Sequence, residues 1–175
     1  MKPANKTSAK KPVLILVCGL PGTGKTTVAE AIAKKAGARI LSTDILRKEI
    51  TGRPSYSEAE KGMVYGMLFS MAEMMLRGGS SVLLDGTFYK RDLRKTAEKI
   101  ASATKSGFRL VEVVCDEKTI RKRLKERSKT CSASDADFNV YRKVKKVFEP
   151  IKEKHFVVDT GENWKKRVDA LLERL

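Results

Sequence analysis

The stretch Cys18-Gly19-Leu20-Pro21-Gly22-Thr23-Gly24-Lys25-Thr26-Thr27 follows the apolar run Val13-Leu14-Ile15-Leu16-Val17 and opens the Ala-rich segment Lys25–Ala36. From Gly19 to Thr26 it matches G-x-x-x-x-G-K-[ST] without gaps. Glycine in a strand-to-helix turn lets backbone adopt left-handed dihedrals and approach a partner closely. Successive N–H groups then turn inward as an anion cradle, and the helix starting at Lys25 aims its positive end at the same point. The expected ligand is a polyphosphate, with Gly19, Leu20, Pro21, Gly22, Thr23, Gly24, Lys25, Thr26 and Thr27 as the nucleotide-binding residues. Lys25 supplies a compact charge for the β- and γ-phosphates, and the Thr26 hydroxyl is placed to ligate Mg²⁺. A glycine-rich turn without a ligand is the bland alternative.

Beyond this loop, short apolar runs alternate with helical periodicity. The expected strands are Val13–Cys18, Arg39–Ser42, Ser81–Asp85, Phe108–Cys115 and His155–Asp159. The expected helices are Lys25–Ala36, about Ser57–Arg77, Lys90–Thr104, Glu117–Arg127, Asp135–Glu149 and Glu162–Leu175. Runs that do not alternate in polarity fit a parallel sheet buried on both faces. The chain therefore reads as a doubly wound α/β domain of about five parallel strands, with ligands at the carboxyl ends of the strands. Three helical stripes are expected to pack on the sheet: Val64, Met67, Leu68, Met71 and Met75; Ala136, Val140, Val144, Val147 and Phe148; Trp164, Val168, Leu171, Leu172 and Leu175. The methionine stripe could alternatively form a pliable substrate wall.

A chain of 175 residues fits one domain. Residues 1–12 read as a flexible basic tail and 13–175 as a single domain. No apolar window reaches the length of a membrane span, and the tail lacks the apolar region of a signal peptide. Cys18, Cys115 and Cys131 have no metal-ligand spacing, and Cys18 and Cys115 end apolar runs, which suggests reduced core thiols and a cytoplasmic setting. The formal net charge is +16, and without Lys2, Lys6, Lys10 and Lys11 the remaining 33 bases still face 21 acids, a balance of +12. Such a domain suits a polyanionic partner, nucleic acid or phosphorylated ligands, although a generally lysine-rich proteome would give the same balance.

Further residues fall near the expected phosphate site. Asp85 ends the third strand, where a carboxylate can hold Mg²⁺ directly or through water; a turn acid in Asp85-Gly86-Thr87 is the alternative. Asp44 lies just past the second strand, with Arg47 three residues on. There a carboxylate can take the proton of an attacking hydroxyl and an arginine can clamp an anionic part of the acceptor. The alternative is Thr43 or Asp44 as an N-cap of a helix Ile45–Ile50, with Arg47 on the surface. The basic segment from Arg121 to Lys129 then loosens, suggesting a helical lid at about 121–134. Arg123 and Arg127, four residues apart on one face, are the candidates to neutralise charge on a transferred phosphoryl group, and Lys122 and Lys125 read as a solvated face. Ser134-Asp135-Ala136-Asp137 reads as a capping box. Thr160, after the last strand, is placed either beside an adenine or as a helix cap.

With these residues in hand, the sequence resembles the P-loop kinases of the zeta-toxin-like and polynucleotide 5′-kinase-like group, the AAA-type predicted kinases. The resemblance runs from Val13 to the C-terminus. Besides the phosphate loop it rests on Asp44-x-x-Arg47, Leu84-Asp85-Gly86-Thr87-Phe88, the basic lid near Arg123 and Arg127, and Ser134-Asp135-Ala136 with Phe148-Glu149-Pro150. It implies the three-layer P-loop NTPase sandwich, ATP and Mg²⁺ as cofactors, Asp44 as general base and Arg47 as a clamp on the acceptor's phosphate. The expected activity is γ-phosphoryl transfer from ATP to a hydroxyl, foremost the 5′-OH end of RNA or DNA. A small-molecule kinase acting on a sugar, nucleoside or antibiotic is the first alternative, and an ATPase or switch without transfer the second.

Overall fold

A computed structural model describes residues 11–52, 54–127, 137–161 and 163–173, the Arg127 side chain excepted. The elements run β1 (Val13–Cys18), α1 (Lys25–Ala36), β2 (Arg39–Ser42), α2 (Thr43–Thr51), α3 (Glu58–Arg77), β3 (Val82–Asp85), α4 (Arg91–Ala103), β4 (Gly107–Val114), α5 (Glu117–Arg127), α6 (Phe138–Val147), β5 (Phe156–Asp159) and α7 (Trp164–Leu172). The five strands form one parallel sheet in the order β2-β3-β1-β4-β5. Chain order and sheet order part at β1, which sits between β3 and β4. The switch point, where a crevice opens at the carboxyl ends of the strands, therefore lies directly above the loop that leaves β1.

The central strand explains the three layers. Leu14, Leu16 and Cys18 face one side, with Val64, Leu68 and Ala72 of α3 and Ala97 and Ala101 of α4. Ile15 and Val17 face the other, with Val28, Ala29 and Ile32 of α1 and Val168 and Leu171 of α7. Period-two side-chain alternation puts apolar groups on both faces. Each fully buried aliphatic side chain contributes about 1.5–3 kcal/mol of transfer free energy. Gly37 ends α1 at φ 64°, its N–H on the Ala33 carbonyl, so the chain turns within two residues into β2.

Several expectations change on packing. The methionine stripe is split: Val64 and Leu68 are buried and Met71 and Met75 pack against that core, but Met67 is 43% exposed. The buried line on α3 instead runs through Tyr65, Leu68, Ala72 and Leu76, because a straight helix drifts off a strict seven-residue repeat. The α6 stripe is not core. Val140 and Val147 are exposed and, with Val144, line a cleft rather than the sheet, while Tyr141 is the buried residue of that helix. The third stripe holds at Val168 and Leu171. The start of α6 also moves: Asp137 is its N-cap, accepting from Val140 N at 2.8 Å. Ser134, Asp135, Ala136, Cys131, Leu175, residues 1–10 of the tail and the lid beyond Arg127 lie outside the described residues. Among the described residues no helix is long and apolar enough to cross a membrane.

Candidate active site

The crevice above β1 is a cleft of about 760 Å³. Its floor is the glycine loop from Pro21 to Thr27, one wall is the start of α2 with Asp44 and Arg47, and the opposite wall is α6. Backbone proximity dictates the glycines. A Cβ on Gly19, whose φ is 144°, would lie 2.3 Å from the Val113 carbonyl, so the exit from β1 passes against β4 only as glycine. Gly24 is the N-cap of α1 in the left-handed region (φ 89°, ψ 22°), and among the described residues no side chain caps that helix. The first-turn amides of α1 thus meet the cleft with neither a side-chain cap nor a first-turn acid, the arrangement of a helix-end anion site. Lys25 Nζ donates to the Leu20 carbonyl at 3.0 Å, which lays the ammonium along the loop.

Asp85 is buried at the end of β3, level with Val17 of β1. Thr26 Oγ1 donates to its Oδ2 at 2.9 Å, whereas its Oδ1 has no hydrogen-bond partner among the described residues. Burial pushes the Asp85 carboxyl pKa up, against the charge of Lys25 and the hydrogen bond from Thr26. An orphaned buried carboxylate oxygen next to a threonine hydroxyl is a donor pair for a hard cation such as Mg²⁺, which binds through few protein ligands with phosphates and waters completing its shell. Among the described residues no group of three or more His, Cys, Asp or Glu could hold a metal. The residues present thus fit a metal shared with a bound polyphosphate.

Asp44 occupies the first turn of α2 and lines the cleft. The helix spans Thr43–Thr51 with Ser42 as its N-cap, so neither Thr43 nor Asp44 is the capping residue. Arg47 is not a surface residue: it is 5% exposed. Its Nη1 donates to Glu60 Oε1 at 2.5 Å and its guanidinium stacks 4.9 Å from the Tyr56 ring centroid, with Nε unpartnered among the described residues. Glu60 also accepts from the Ser55 hydroxyl and from the Ser55 and Tyr56 amides. These bonds, led by the Ser55 hydroxyl and then the Arg47 guanidinium, hold its carboxyl at about 2 instead of 4.5.

Arg123, expected to act from a lid, is placed differently from that expectation. Arg123 points behind the loop, where Nη1 reaches Thr160 Oγ1 at 2.8 Å and Nη2 the Thr160 carbonyl at 2.9 Å. It is not among the residues lining the cleft. Thr160 does not cap α7, whose N-cap is Asn163; it is buried beside the loop. Lys122 is exposed, as is Lys125.

Two buried residues had no place in the sequence reading. Glu60 sits in the first turn of a helix, where an acid is routine. Arg94 is 1% exposed; it donates to the carbonyls of Phe88 at 2.9 Å, Glu149 at 3.1 Å and Pro150 at 3.3 Å. It fastens the turn after Asp85, where Phe88 has φ 43°, to the segment after α6. The signal available was its position three and seven residues before Ala97 and Ala101 on one face of α4, where small side chains leave room for a long one.

A family model described as an AAA domain matches residues 14–151. Adenylate kinase isoenzyme 1 of Rattus norvegicus is 32% identical over 149 residues, covering 77% of this chain and 74% of that protein. An uncharacterized protein of Mycobacterium tuberculosis, Rv2004c, is 39% identical over 114 residues, 58% of this chain; the match spans only 22% of that longer relative. In three dimensions the chain is similar to the Mycobacterium tuberculosis APS kinase CysC in complex with AMPPNP and APS, with a TM-score of 0.70 and 17% identity over 93% of this chain and 96% of that one.

Proposed function

We propose that this chain, which belongs to the AAA domain family, is a P-loop kinase that transfers the γ-phosphoryl group of ATP to a hydroxyl acceptor, foremost the 5′-OH end of RNA or DNA. The observation that carries this reading is the Thr26–Asp85 hydrogen bond at the lip of the loop, in the same cleft as Asp44. It joins a polyphosphate cradle, a cation site and a proton acceptor in one space. Lys25 and the amides of the loop and of α1 bind the phosphates. Thr26 and Asp85 hold Mg²⁺, which when bound neutralises phosphate charge. Asp44 accepts the hydroxyl proton as the oxygen attacks. Phosphoryl transfer needs little else than such positioning and electrostatics.

For the acceptor, Arg47, Lys61, Lys90 and Lys143 on the cleft walls favour an anion, and the net charge of +16 favours a polyanion. One observation favours a small-molecule hydroxyl instead: Arg47 is already paired with Glu60, which diminishes its charge as a phosphate clamp. Incubation with γ-labelled ATP, Mg²⁺ and a panel of 5′-OH oligonucleotides, nucleosides, sugars and aminoglycosides tests the reading. Label on the oligonucleotide end supports the first acceptor, and label on a neutral small molecule replaces it with the second. Free labelled phosphate with no labelled acceptor would mean hydrolysis only, and the transferase reading would fall.

A further inference from the structure

The peptide joining Thr23 to Gly24 is gripped from outside the loop. Thr160, the first residue after β5, is 5% exposed, and its Oγ1 donates to the Thr23 carbonyl at 2.6 Å. The Val114 carbonyl, at 3.4 Å, is a far weaker acceptor for that hydroxyl. With the proton committed to Thr23, an oxygen lone pair of Thr160 is left to accept from Arg123 Nη1 at 2.8 Å. The same Nη1 lies 3.4 Å from the Thr23 carbonyl, and Nη2 reaches the Thr160 carbonyl. The Thr160 amide is bonded to Val114 O at 3.0 Å, so this hub is rooted in the sheet. It also packs directly on the loop: a Cβ on Gly24 would stand 3.4 Å from Thr160 Cγ2 and 3.5 Å from Arg123 Nη1.

In a trans peptide the carbonyl and the N–H point in opposite directions. A carbonyl of Thr23 clamped toward β5 and α5 turns the Gly24 N–H away from them, toward the cleft that Gly24 lines. We infer that Thr160 and Arg123 are positioning residues for the nucleotide: they set the Thr23–Gly24 peptide so that the Gly24 N–H donates to a phosphate oxygen beyond the α-phosphate. This rests on the ATP reading above. It gives Arg123 a role through the loop rather than through direct contact with the transferred group.

Calorimetry with Mg-ATP and with AMP, which lacks the β- and γ-phosphates, tests it in the parent, Thr160→Val, Thr160→Ser and Arg123→Met proteins. Thr160→Val keeps shape and removes the hydroxyl. It should weaken ATP about tenfold, the worth of one misdirected charge-assisted hydrogen bond, and leave AMP within about twofold. Thr160→Ser should bind both nucleotides like the parent, and Arg123→Met should shift ATP in the same direction as Thr160→Val. Equal ATP affinity in Thr160→Val and parent, equal losses for ATP and AMP, or a Ser variant as impaired as Val would overturn the inference while the ATP reading stands. A parent that binds neither nucleotide overturns both. Melting curves of the four proteins separate a binding loss from unfolding, and the Ser variant serves where Val does not fold.

Discussion

Arg47 of α2 and Glu60 of α3 form an ion pair at 2.5 Å with only 6% of each side chain exposed. The pair closes the Ser55–Tyr56 turn between the two helices, since Glu60 also takes the amides of both turn residues. A charge so enclosed is retained only with its partner, because an uncompensated one is costly to bury.

The pH dependence of stability follows from this pair. The Glu60 carboxyl titrates at about 2 in the folded chain, lowered from 4.5 chiefly by the Ser55 hydroxyl and then by Arg47. A lowered folded-state value contributes stability that is whole above the unfolded value and is lost as pH falls through the folded one. Urea unfolding from about pH 6 down to pH 2 should show a loss of stability in the parent that is shallower in Glu60→Gln. The variant should already be less stable near neutrality. Parallel pH profiles would exclude Glu60 as a source of the acid sensitivity.

Asp44→Ala should leave ATP binding intact and slow transfer by about 10²-fold or more, the usual worth of a positioned general base. Single-turnover transfer and calorimetric ATP affinity, measured on the same preparation, separate the two effects. Unchanged transfer would remove Asp44 as the base.

Asp85→Asn keeps the shape of a buried side chain and removes the charge. The tightening of ATP binding by Mg²⁺ should disappear in this variant, while binding without the cation stays near the parent's or improves. Titrations with Mg²⁺ and with EDTA give the comparison, and retained Mg²⁺ dependence would place the cation elsewhere.

Arg94→Leu should be the most damaging substitution far from the cleft floor. It leaves the carbonyls of Phe88, Glu149 and Pro150 without their buried donor, at about 1–3 kcal/mol for each group that finds no water. A fall in Tm of roughly 5–10 °C is expected for a domain of this size. A change under about 2 °C would mean that the segment reseats on other donors.

Much of this was legible without coordinates. Strands buried on both faces leave unbroken runs such as Leu14 to Val17, and helices leave periodic ones, so the alternation and the parallel sheet could be read directly. The loop from Gly19 to Thr26 was legible because its chemistry is local: positive φ, close backbone approach and a helix start all fall within eight consecutive residues. The stripe of α6 misled because periodicity says that a helix has an apolar face, not what covers it. Val140, Val144 and Val147 have the spacing of core residues and line a cleft.

Sequence by itself determined the fold class, the phosphate loop and the meeting of Thr26 with an acid at a strand end, since local chemistry and the switch-point topology suffice for these. Only the tertiary structure decided that Arg47 is paired with Glu60, that Arg94 is buried, and that Arg123 and Thr160 grip the loop from behind. Each of those depends on a partner between 13 and 137 positions away. No local propensity encodes such pairings, because they arise where separate elements are packed together and their buried polar groups must find one another.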